Sequence, residues 1–319
     1  MNHHDAIRRS RLANHAETLI ALLQPSARII VHDEAPTADG SSSHFGGLPL
    51  LPEGTAWPRW DKHDLLVAQI ARAEESFKKN PRATGLRDMA IKLRKELSHS
   101  DQPLAFLCQL SLSELHVAAP LPGWPTEGNL AFFYDTSQEW GFDPLSRGHC
   151  RVLYFPQDKE LALRQPPSDL SEDARFPERS FTFSPEWTLP DRVMLGDDCH
   201  TIFDDIFGEL FEQFMPVSLG GQPVHRCGGH PHAIQGDMRL ECQLVTNGLY
   251  CGNSSGYQDP RRKILETGAA DWELLLQIDS DPDRLGWLWG DNGRVYFWLR
   301  RQDLATLDCK NAWAILQCY

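Results

Sequence analysis

The chain has 319 residues, 41% of them hydrophobic, and a formal net charge of −13 at neutral pH. This length suits one large domain or two ordinary ones with a sizeable core. The negative charge argues against nucleic acid as a ligand and favours either a basic protein partner or simply good solubility. No apolar run is long enough to cross a membrane, and the N-terminus lacks the apolar core of a signal peptide, so we expect a cytoplasmic protein without membrane contact.

The N-terminal segment, residues 1–27, predicts an amphipathic helix. Apolar residues recur at helical spacing between Leu12 and Leu23, and Pro25 ends the pattern. The remaining residues, 28–319, predict a single domain that is rich in β-structure, because most of its apolar runs are short and are bounded by Gly, Pro, Asn or Asp.

Residues 61–101 differ in composition from the rest of the chain. They contain no Trp, and nine Lys or Arg residues stand against seven Asp or Glu residues, which makes this stretch slightly basic within an acidic protein. Two helices are predicted, at 64–79 and 86–97, separated by the helix-breaking pair Asn80-Pro81. We interpret the stretch as a helical hairpin inserted into the β-rich domain.

The strongest helix signal lies at 198–214. Apolar residues repeat every four positions, Asp198 can cap the N-terminus, and six acidic residues occur between Asp197 and Phe214 without a Lys or Arg. A core helix with a solvated acidic face is the simpler interpretation. The alternative is an interaction surface for a basic partner. Its residues would be Asp204, Asp205, Glu209 and Glu212.

The stretch from Asp271 to Arg301 predicts a core β-hairpin. Apolar and polar residues alternate in its first and last parts, which is typical of half-buried strands, and Asn292-Gly293 is a turn signal that tolerates positive φ. The connection between the two strands is acidic and contains two tryptophans, which either cover the core or form an aromatic binding surface. The candidate binding residues are Trp287, Trp289, Asp279 and Asp291.

A loop shaped by Gly and Pro, from Arg226 to Met238, adds three more candidate binding residues. They are His230, His232 and Gln235. Together with two nearby cysteines the histidines fit no standard zinc spacing, and the aspartates that follow Ile278 lack the Gly and Glu of a calcium-binding loop.

Reaction chemistry has little support in the sequence. There is no nucleophile elbow and no phosphate-cradling loop, and the eight cysteines form no CxxC pair, so we expect them to be reduced core residues. The sequence therefore predicts no catalytic residue, no metal and no cofactor, and it leaves open whether the protein is an enzyme.

Two parts of the chain, about 45–155 and 225–319, carry the same motifs in the same order. Each has a Gly-Gly pair followed two positions later by Pro, an apolar strand that contains Gln, and a Gly that opens a second apolar strand. Gln109 in the first part corresponds to Gln277 in the second. We interpret this pattern as a degenerate internal duplication, in which the helical insertion lengthens the first part.

These motifs together resemble the YwqG-like family of bacterial proteins, a domain of unknown function. The stretches that carry the resemblance are GGLPLLPEGTAWP, PLAFLCQLSLSEL, GNLAFFYD, GGHPHAIQGDM, WELLLQIDSD, WGDNGRVYFWLRRQDLA and the terminal QCY. The resemblance implies an α+β fold that is mainly antiparallel β, with two pseudo-repeated halves and peripheral helices. It implies no catalytic residues. The insertion at 61–101 replaces what would be a short link in the family pattern.

Two classes of function follow from these observations. The first is a non-catalytic protein-binding module, such as an immunity or antitoxin-type protein that neutralises a basic toxin, which fits the acidic charge and the family's association with toxin loci. The second is an enzyme or small-molecule binder with a groove between the two halves, in which the Asp, His, Gln and Trp candidates of the hairpin and the 226–238 loop would converge.

Overall fold

A computed structural model describes residues 3–33, 43–190 and 223–319. The fold is α+β and mainly antiparallel β, as the sequence predicts. The helices are α1 His3–Arg9, α2 Ala16–Leu22, α3 His63–Lys79, α4 Thr84–Glu96, α5 Leu112–Ala118, α6 Arg239–Thr246, α7 Ser254–Gln258, α8 Arg262–Leu265 and α9 Arg301–Thr306.

The strands begin directly after the N-terminal helices and end two residues before the C-terminus. They are β1 Gln24–Val31, β2 His44–Phe45, β3 Leu50–Pro52, β4 Arg59–Asp61, β5 Asp101–Pro103, β6 Ala105–Ser111, β7 Asn129–Tyr134, β8 Cys150–Phe155, β9 Leu161–Leu163, β10 Arg179–Thr188, β11 His225–Cys227, β12 Trp272–Asp279, β13 Arg294–Arg300 and β14 Trp313–Gln317.

One ten-stranded antiparallel sheet dominates the molecule, with the strand order β14-β13-β12-β11-β1-β10-β2-β6-β7-β8. The central pair is β1 with β10, and four strands lie on each side of it in matching sequence order. The two outermost strands approach each other, because the ring of His149, just before β8, lies 2.9 Å from the carbonyl of Ala314 in β14. Two small ribbons, β3 with β9 and β4 with β5, complete the sheet structure of the described residues.

The two halves of the sheet share an irregularity at the same place. The pairing of β6 with β7 shifts register between Phe106 and Cys108, and the pairing of β12 with β13 shifts between Leu274 and Leu276. Each shift leaves one extra leucine two residues before the matched Gln, which is the arrangement of a β-bulge. The prediction that β12 is a regularly alternating, half-buried strand is therefore wrong at this bulge.

The bulge places Leu275, Leu276 and Ile278 in the large central core, whereas Trp272 and Leu274 pack in a second core on the other face of the sheet. Strand β12 is therefore buried on both faces. Strand β13 follows the predicted alternation, with Val295, Phe297 and Leu299 in the central core.

The matched glutamine of each half accepts a hydrogen bond from the loop that contains the Gly-Gly pair. The backbone N–H of Leu50 donates to Gln109 Oε1 at 2.8 Å, and that of His232 donates to Gln277 Oε1 at 2.8 Å. Both donors lie four residues after the first Gly of their pair, and all four glycines have positive φ, a conformation that most side chains avoid. The side-chain oxygen of a buried Gln thus accepts from the same backbone position in both halves.

A second pair of equivalent contacts involves the residue three positions before each Gly-Gly pair. Ser43 Oγ accepts from the backbone N–H of Ser111 at 2.8 Å, and His225 Nδ1 accepts from the backbone N–H of Asp279 at 3.1 Å. Both donors lie two residues after the matched Gln. These correspondences favour the predicted duplication, and they place the Gly-Gly loops at equivalent positions in the two halves.

The N-terminal segment is helical but interrupted, unlike the single predicted helix. Helix α1 ends at Arg9, where Ser10 Oγ donates to the carbonyl of Ile7 and accepts from the N–H of Leu12. A 3₁₀ turn follows before α2 begins at Ala16. Serine competes for backbone partners in this way and so ends helices that an apolar pattern alone would continue.

Helices α3 and α4 form the inserted hairpin at the end of the β4–β5 ribbon. In this ribbon Asp61 pairs with Asp101, so the predicted boundaries of the insertion, 61–101, lie inside strands. The hairpin does not stay entirely outside the body, because Leu65 packs with Trp60, Phe106 and Phe133 in a core cluster. Within the described part of the chain, no helix is both long and apolar enough to span a membrane.

Candidate functional site

The predicted acidic surface lies outside the described residues. Its members, Asp204, Asp205, Glu209 and Glu212, belong to the predicted helix 198–214, which falls in the gap between 190 and 223. The other predicted site residues are all described.

Two aspartates at the start of the β12–β13 connection, Asp279 and Asp281, are buried and paired. Asp279 forms an ion pair with Arg294 Nε at 2.9 Å and accepts from the backbone N–H of Val224 at 2.8 Å. Asp281 accepts from Arg284 Nε at 2.8 Å. Burial alone would raise the pKa of the Asp281 carboxyl, but the nearby His225 ring and hydrogen bonds from Arg284 outweigh it and lower that pKa. Neither carboxylate is left open to coordinate a cation.

His225 joins this acidic connection to the central core. Its Nδ1 accepts from the N–H of Asp279, so the neutral ring carries its proton on Nε2, which faces Asp281 Oδ2 at 3.7 Å. Burial lowers the pKa of His225 despite these two carboxylates. The imidazole is therefore a neutral packing group at physiological pH, in contact with the rings of Phe45 and Trp287.

Both tryptophans of the connection are core residues, which is one of the two predicted alternatives. Trp287 is 1% exposed and Trp289 is 3% exposed. Their rings pack at 5.7 Å from each other, and Phe176 lies edge-on to Trp287 at 5.5 Å. The indole N–H of each tryptophan has no hydrogen-bond acceptor among the described residues, and such a buried donor costs about 1–3 kcal/mol when it stays unpaired.

The candidates from the 226–238 loop hold the loop to its neighbours. His230 Nε2 lies 2.8 Å from the carbonyl of Leu22, and burial lowers the pKa of this imidazole to about 4. The carbonyl of His232 accepts from Arg294 Nη1 at 3.2 Å, and burial together with that arginine lowers the pKa of the His232 ring to about 3. Gln235 Nε2 donates to the carbonyl of Cys318 at 2.8 Å.

The structure brings some of these candidates together and separates others. Asp279 and His232 meet through Arg294, and His225 connects Asp279 with Trp287. The side chains of His230 and Gln235 contact different elements, and Asp291 is exposed at the end of the connection, where its carbonyl accepts from the N–H of Tyr319 at 3.3 Å. The geometry of this set is that of a structural network.

A cavity of about 420 Å³ lies where the two halves meet, next to the tryptophans. Its wall combines Tyr134 and Asp135 from the end of β7, Phe176 from the 171–176 loop, and Trp287 and Trp289. Gln138 closes one side, because its amide donates to the carbonyl of Leu288 at 3.0 Å and accepts from the N–H of Gly290 at 2.8 Å. One polar side chain thus ties the first half to the second.

Sequence reasoning missed the buried polar residues between β7 and β8. Asp135, Glu139 and Asp143 are 4%, 8% and 2% exposed. Burial raises the pKa of Glu139 to about 7, although Ser146 Oγ donates to its carboxyl at 2.8 Å. Perturbed carboxyls of this kind occur often at functional sites. The only sequence signal is a run of three acids spaced four apart, which is also typical of an ordinary polar loop.

The inserted hairpin reaches this same stretch. Arg72 Nη2 donates to Asp143 Oδ2 at 2.6 Å, and the buried Lys62 donates to Ser137 Oγ at 2.6 Å. Helix α3 therefore covers the β7–β8 connection and neutralises part of its acidity.

Cysteine and histidine side chains near the Gly-Gly loop do not form a metal centre. Cys227 packs in the central core, and Cys242 packs in the second core on the other face of the sheet. In the three ranges that the structure describes, no group of three or more His, Cys, Asp or Glu side chains is placed to hold a metal ion.

The fold and the site define a mainly antiparallel α+β domain whose charged residues serve largely as structural pairs. The family model described as "Domain of unknown function (DUF1963)" matches residues 43–318, and the chain belongs to this family. Comparison with curated proteins gives no match. The matched region covers both halves and the insertion, but not α1, α2 or β1.

Proposed function

We propose that this protein is a non-catalytic binding module whose partner is a basic protein. The observation that carries the proposal is the distribution of charge. Residues 191–222 contain seven Asp or Glu and one Arg, a net charge of −6 out of −13 for the whole chain. A concentrated acidic segment accelerates association with a basic partner and favours it over acidic competitors.

The described site supports binding over the predicted catalytic groove. The carboxylate of Asp279 is paired with Arg294, and the rings of His230 and His232 have pKa values of about 4 and about 3, far below the pH at which a general base works well. Because these groups are committed to structural contacts, they are poorly suited to a proton-transfer reaction.

The finer family assignment belongs to the same proposal. We place the chain with the YwqG-like proteins on the motifs quoted above, and we propose an immunity or antitoxin-type role in the cytoplasm. The seven cysteines in the described ranges all carry free thiols, which fits a reducing compartment. A nuclease-type toxin is the kind of partner that suits an acidic protein, because it must itself attract phosphate.

The test is co-expression with the product of the adjacent gene, followed by binding measurements at low and high salt. We expect a complex whose association slows as salt rises, because exposed charges are screened. Replacing Asp204, Asp205, Glu209 and Glu212 by Lys should slow association by about tenfold or more at low salt, with little effect on the thermal midpoint.

A matched control separates a specific surface from net charge. Replacing four exposed acids elsewhere by Lys changes the net charge by the same amount. They are Glu53, Glu127, Asp158 and Glu160. If this control slows association as much as the first variant, the acidic segment is not the binding surface. If no neighbouring product binds and the protein shows turnover that Asp279→Ala or Asp291→Ala abolishes, the enzyme alternative replaces this proposal.

A further inference from the structure

A second cavity, of about 280 Å³, contains none of the candidate residues discussed above. It combines the loop before β8 in the first half with three parts of the second half, namely the end of α6, the junction of β13 with α9, and the turn before β14. Apart from Trp272, its described wall consists of Arg, Asp, Asn, Gln and Thr residues. An apolar ligand would leave such polar groups without partners, so the pocket suits a hydrophilic one.

Two arginines in this wall have no carboxylate partner. Neither Arg147 nor Arg300 forms an ion pair with an Asp or Glu of the described ranges, whereas the next residue, Arg301, is paired with Glu273. Asp303 lies in the same wall and pairs with neither arginine. The described wall therefore carries two positive charges and one negative charge, within a chain whose net charge is −13. A pocket of positive sign in an acidic protein favours an anionic ligand.

The guanidinium group of Arg300 is held in place but keeps donors for a ligand. Its central carbon lies 5.2 Å from the centre of the Trp272 ring, and its Nη2 donates to Gln243 Oε1 at 2.9 Å. Its Nε and Nη1 have no acceptor among the described residues, and neither atom is buried. The indole N–H of Trp272 donates to the same Gln243 oxygen at 2.9 Å, so this indole reports on changes at the arginine.

Arg147 is arranged in a similar way on the other side of the pocket wall. Its guanidinium carbon lies 5.9 Å from the centre of the Trp313 ring, and its Nη2 donates to the carbonyl of Thr246 at 3.2 Å. The residue is exposed, and a guanidinium has five N–H donors. Because an aromatic ring limits the motion of each arginine, less conformational entropy is lost when a ligand binds.

The presence of two arginines favours a phosphate group over a single carboxylate. One guanidinium already matches the two oxygens of a carboxylate, whereas a phosphate monoester presents three oxygens and can contact two guanidinium groups. Asn247, Gln302 and Asn311 add amide donors and acceptors to the wall, and these groups suit the hydroxyls of a ligand.

We propose that this pocket binds a small phosphate monoester that carries hydroxyl groups. Arg147 and Arg300 bind the phosphate oxygens, and the amide side chains together with Asp303 bind the hydroxyls. The inference goes beyond the proposed protein-binding function and does not depend on it, because it concerns a different surface and a different class of ligand.

Four probes test the two chemical requirements, at a pH of about 8 where a phosphate monoester is a dianion. Glycerol 3-phosphate has both groups, methyl phosphate lacks the hydroxyls, glycerol lacks the phosphate, and succinate is a dianion without phosphate. We expect glycerol 3-phosphate to bind tightest, methyl phosphate about threefold to tenfold more weakly, succinate at least about tenfold more weakly, and glycerol not measurably. Calorimetry gives the affinities, and the indole N–H signal of Trp272 should shift in NMR spectra with both phosphates.

Variants of the arginines separate recognition from charge. Arg147→Gln and Arg300→Gln should each weaken both phosphates by about tenfold or more, because a hydrogen bond to a charged group is lost. Arg147→Lys keeps the charge but not the forked donors, so it should weaken them by about threefold to tenfold. Arg301→Gln is the matched control. It removes the same charge from an exposed residue outside this pocket, and it should change the affinities by about twofold or less.

A variant at the rim keeps the test valid if the arginine variants fail to fold. Gln302 is exposed and lines the pocket, so Gln302→Glu adds a negative charge there and should weaken both phosphates by about threefold to tenfold. Gln165→Glu adds the same charge at an exposed position outside the pocket and should have little effect. The proposal is overturned if neither phosphate binds the folded protein at millimolar concentration, if Arg301→Gln weakens binding as much as Arg147→Gln, or if succinate or methyl phosphate binds as tightly as glycerol 3-phosphate.

Discussion

The two halves of the sheet connect equivalent strands in different ways. After β6 the chain forms helix α5, which buries Leu112 and Leu115 but leaves Val117 85% exposed. After β12 the chain turns inward instead, and the connection buries two tryptophans between the halves. The strand order, the bulges and the hydrogen bonds to the glutamine oxygens recur on both sides, and the cavity lies where the connections differ.

This difference separates two roles for polar residues. Gln109 and Gln277 recur because each Gly-Gly loop leaves a backbone N–H that needs an acceptor inside the sheet. Gln138 occurs in the first half alone, where it bridges to the second half through Leu288 and Gly290. The polar contacts that recur therefore stabilise each half by itself, and the contact that occurs once joins the two halves.

The largest expected effect on stability comes from a substitution in the connection after β12, which turns into the core. Trp287→Ala should lower the free energy of unfolding by about 3–5 kcal/mol, because it removes a fully buried ring from the central core. Val117→Ala, in the equivalent connection of the first half, should change it by less than about 0.5 kcal/mol. Urea denaturation followed by circular dichroism measures both. Equal effects of the two substitutions would show that the connections are energetically alike.

A second prediction compares buried carboxyls in the two halves through pH. Burial raises the pKa of Glu139 in the first half and of Glu241 in the second to about 7, from an ordinary value near 4.5. The folded state therefore holds a proton that the unfolded state has lost, and stability should fall as pH rises from 4.5 to 7. For Glu139 the full change is on the order of 3 kcal/mol.

Glu139→Gln should remove this slope while keeping an acceptor for Ser146, and Glu241→Gln should remove a similar contribution from the second half. The measurement is the unfolding free energy at several pH values between 5 and 8, taken as variant minus wild type so that the histidine contributions cancel. A slope unchanged by Glu139→Gln would mean that this carboxyl is ionised in the fold.

The sequence predicted the frame well because period and composition are local signals. The helices of the insertion lie within a few residues of their predicted positions. The Gln109 and Gln277 correspondence was also visible. Positive φ at Asn292 agrees with its assignment as a turn residue.

The bulges and the cavity could not be predicted from the sequence. After a bulge the side chains of a strand point to the opposite faces, although the composition of the strand is unchanged. The sequence therefore does not show that Leu275 and Leu276 both enter the central core. The cavity combines the β12–β13 connection with two segments more than a hundred residues earlier in the chain. Asp135 and Phe176, in those segments, have no local feature that marks them as neighbours of Trp289. The break at Ser10 depends on two local hydrogen bonds, which an apolar pattern does not show.

The third prediction tests whether the repeated contacts are equivalent. Gln109→Leu and Gln277→Leu should each cost about 1–3 kcal/mol, because each leaves a buried backbone N–H without its acceptor. Four strands separate β6 from β12 in the sheet order, so the double variant should show additive losses. Gln302→Leu, at an exposed position on α9, is the control and should have little effect. Strong non-additivity would show that the halves are coupled directly through these residues.

The smallest effect is expected from removing the helical insertion, which makes the first half longer than the second. Replacing residues 63–99 with a short Gly/Ser linker keeps the β4–β5 ribbon and the contact between the N–H of Lys62 and the carbonyl of Ser100. The free energy of unfolding should fall by about 2 kcal/mol or less, because Leu65 is the one insertion residue in the core cluster of Trp60 and Phe106. The shorter loop also costs less entropy to close, which offsets part of that fall. Thermal unfolding should remain a single transition. Aggregation of this variant, with a soluble Leu65→Ala variant beside it, would show that the hairpin as a whole belongs to the core of the first half.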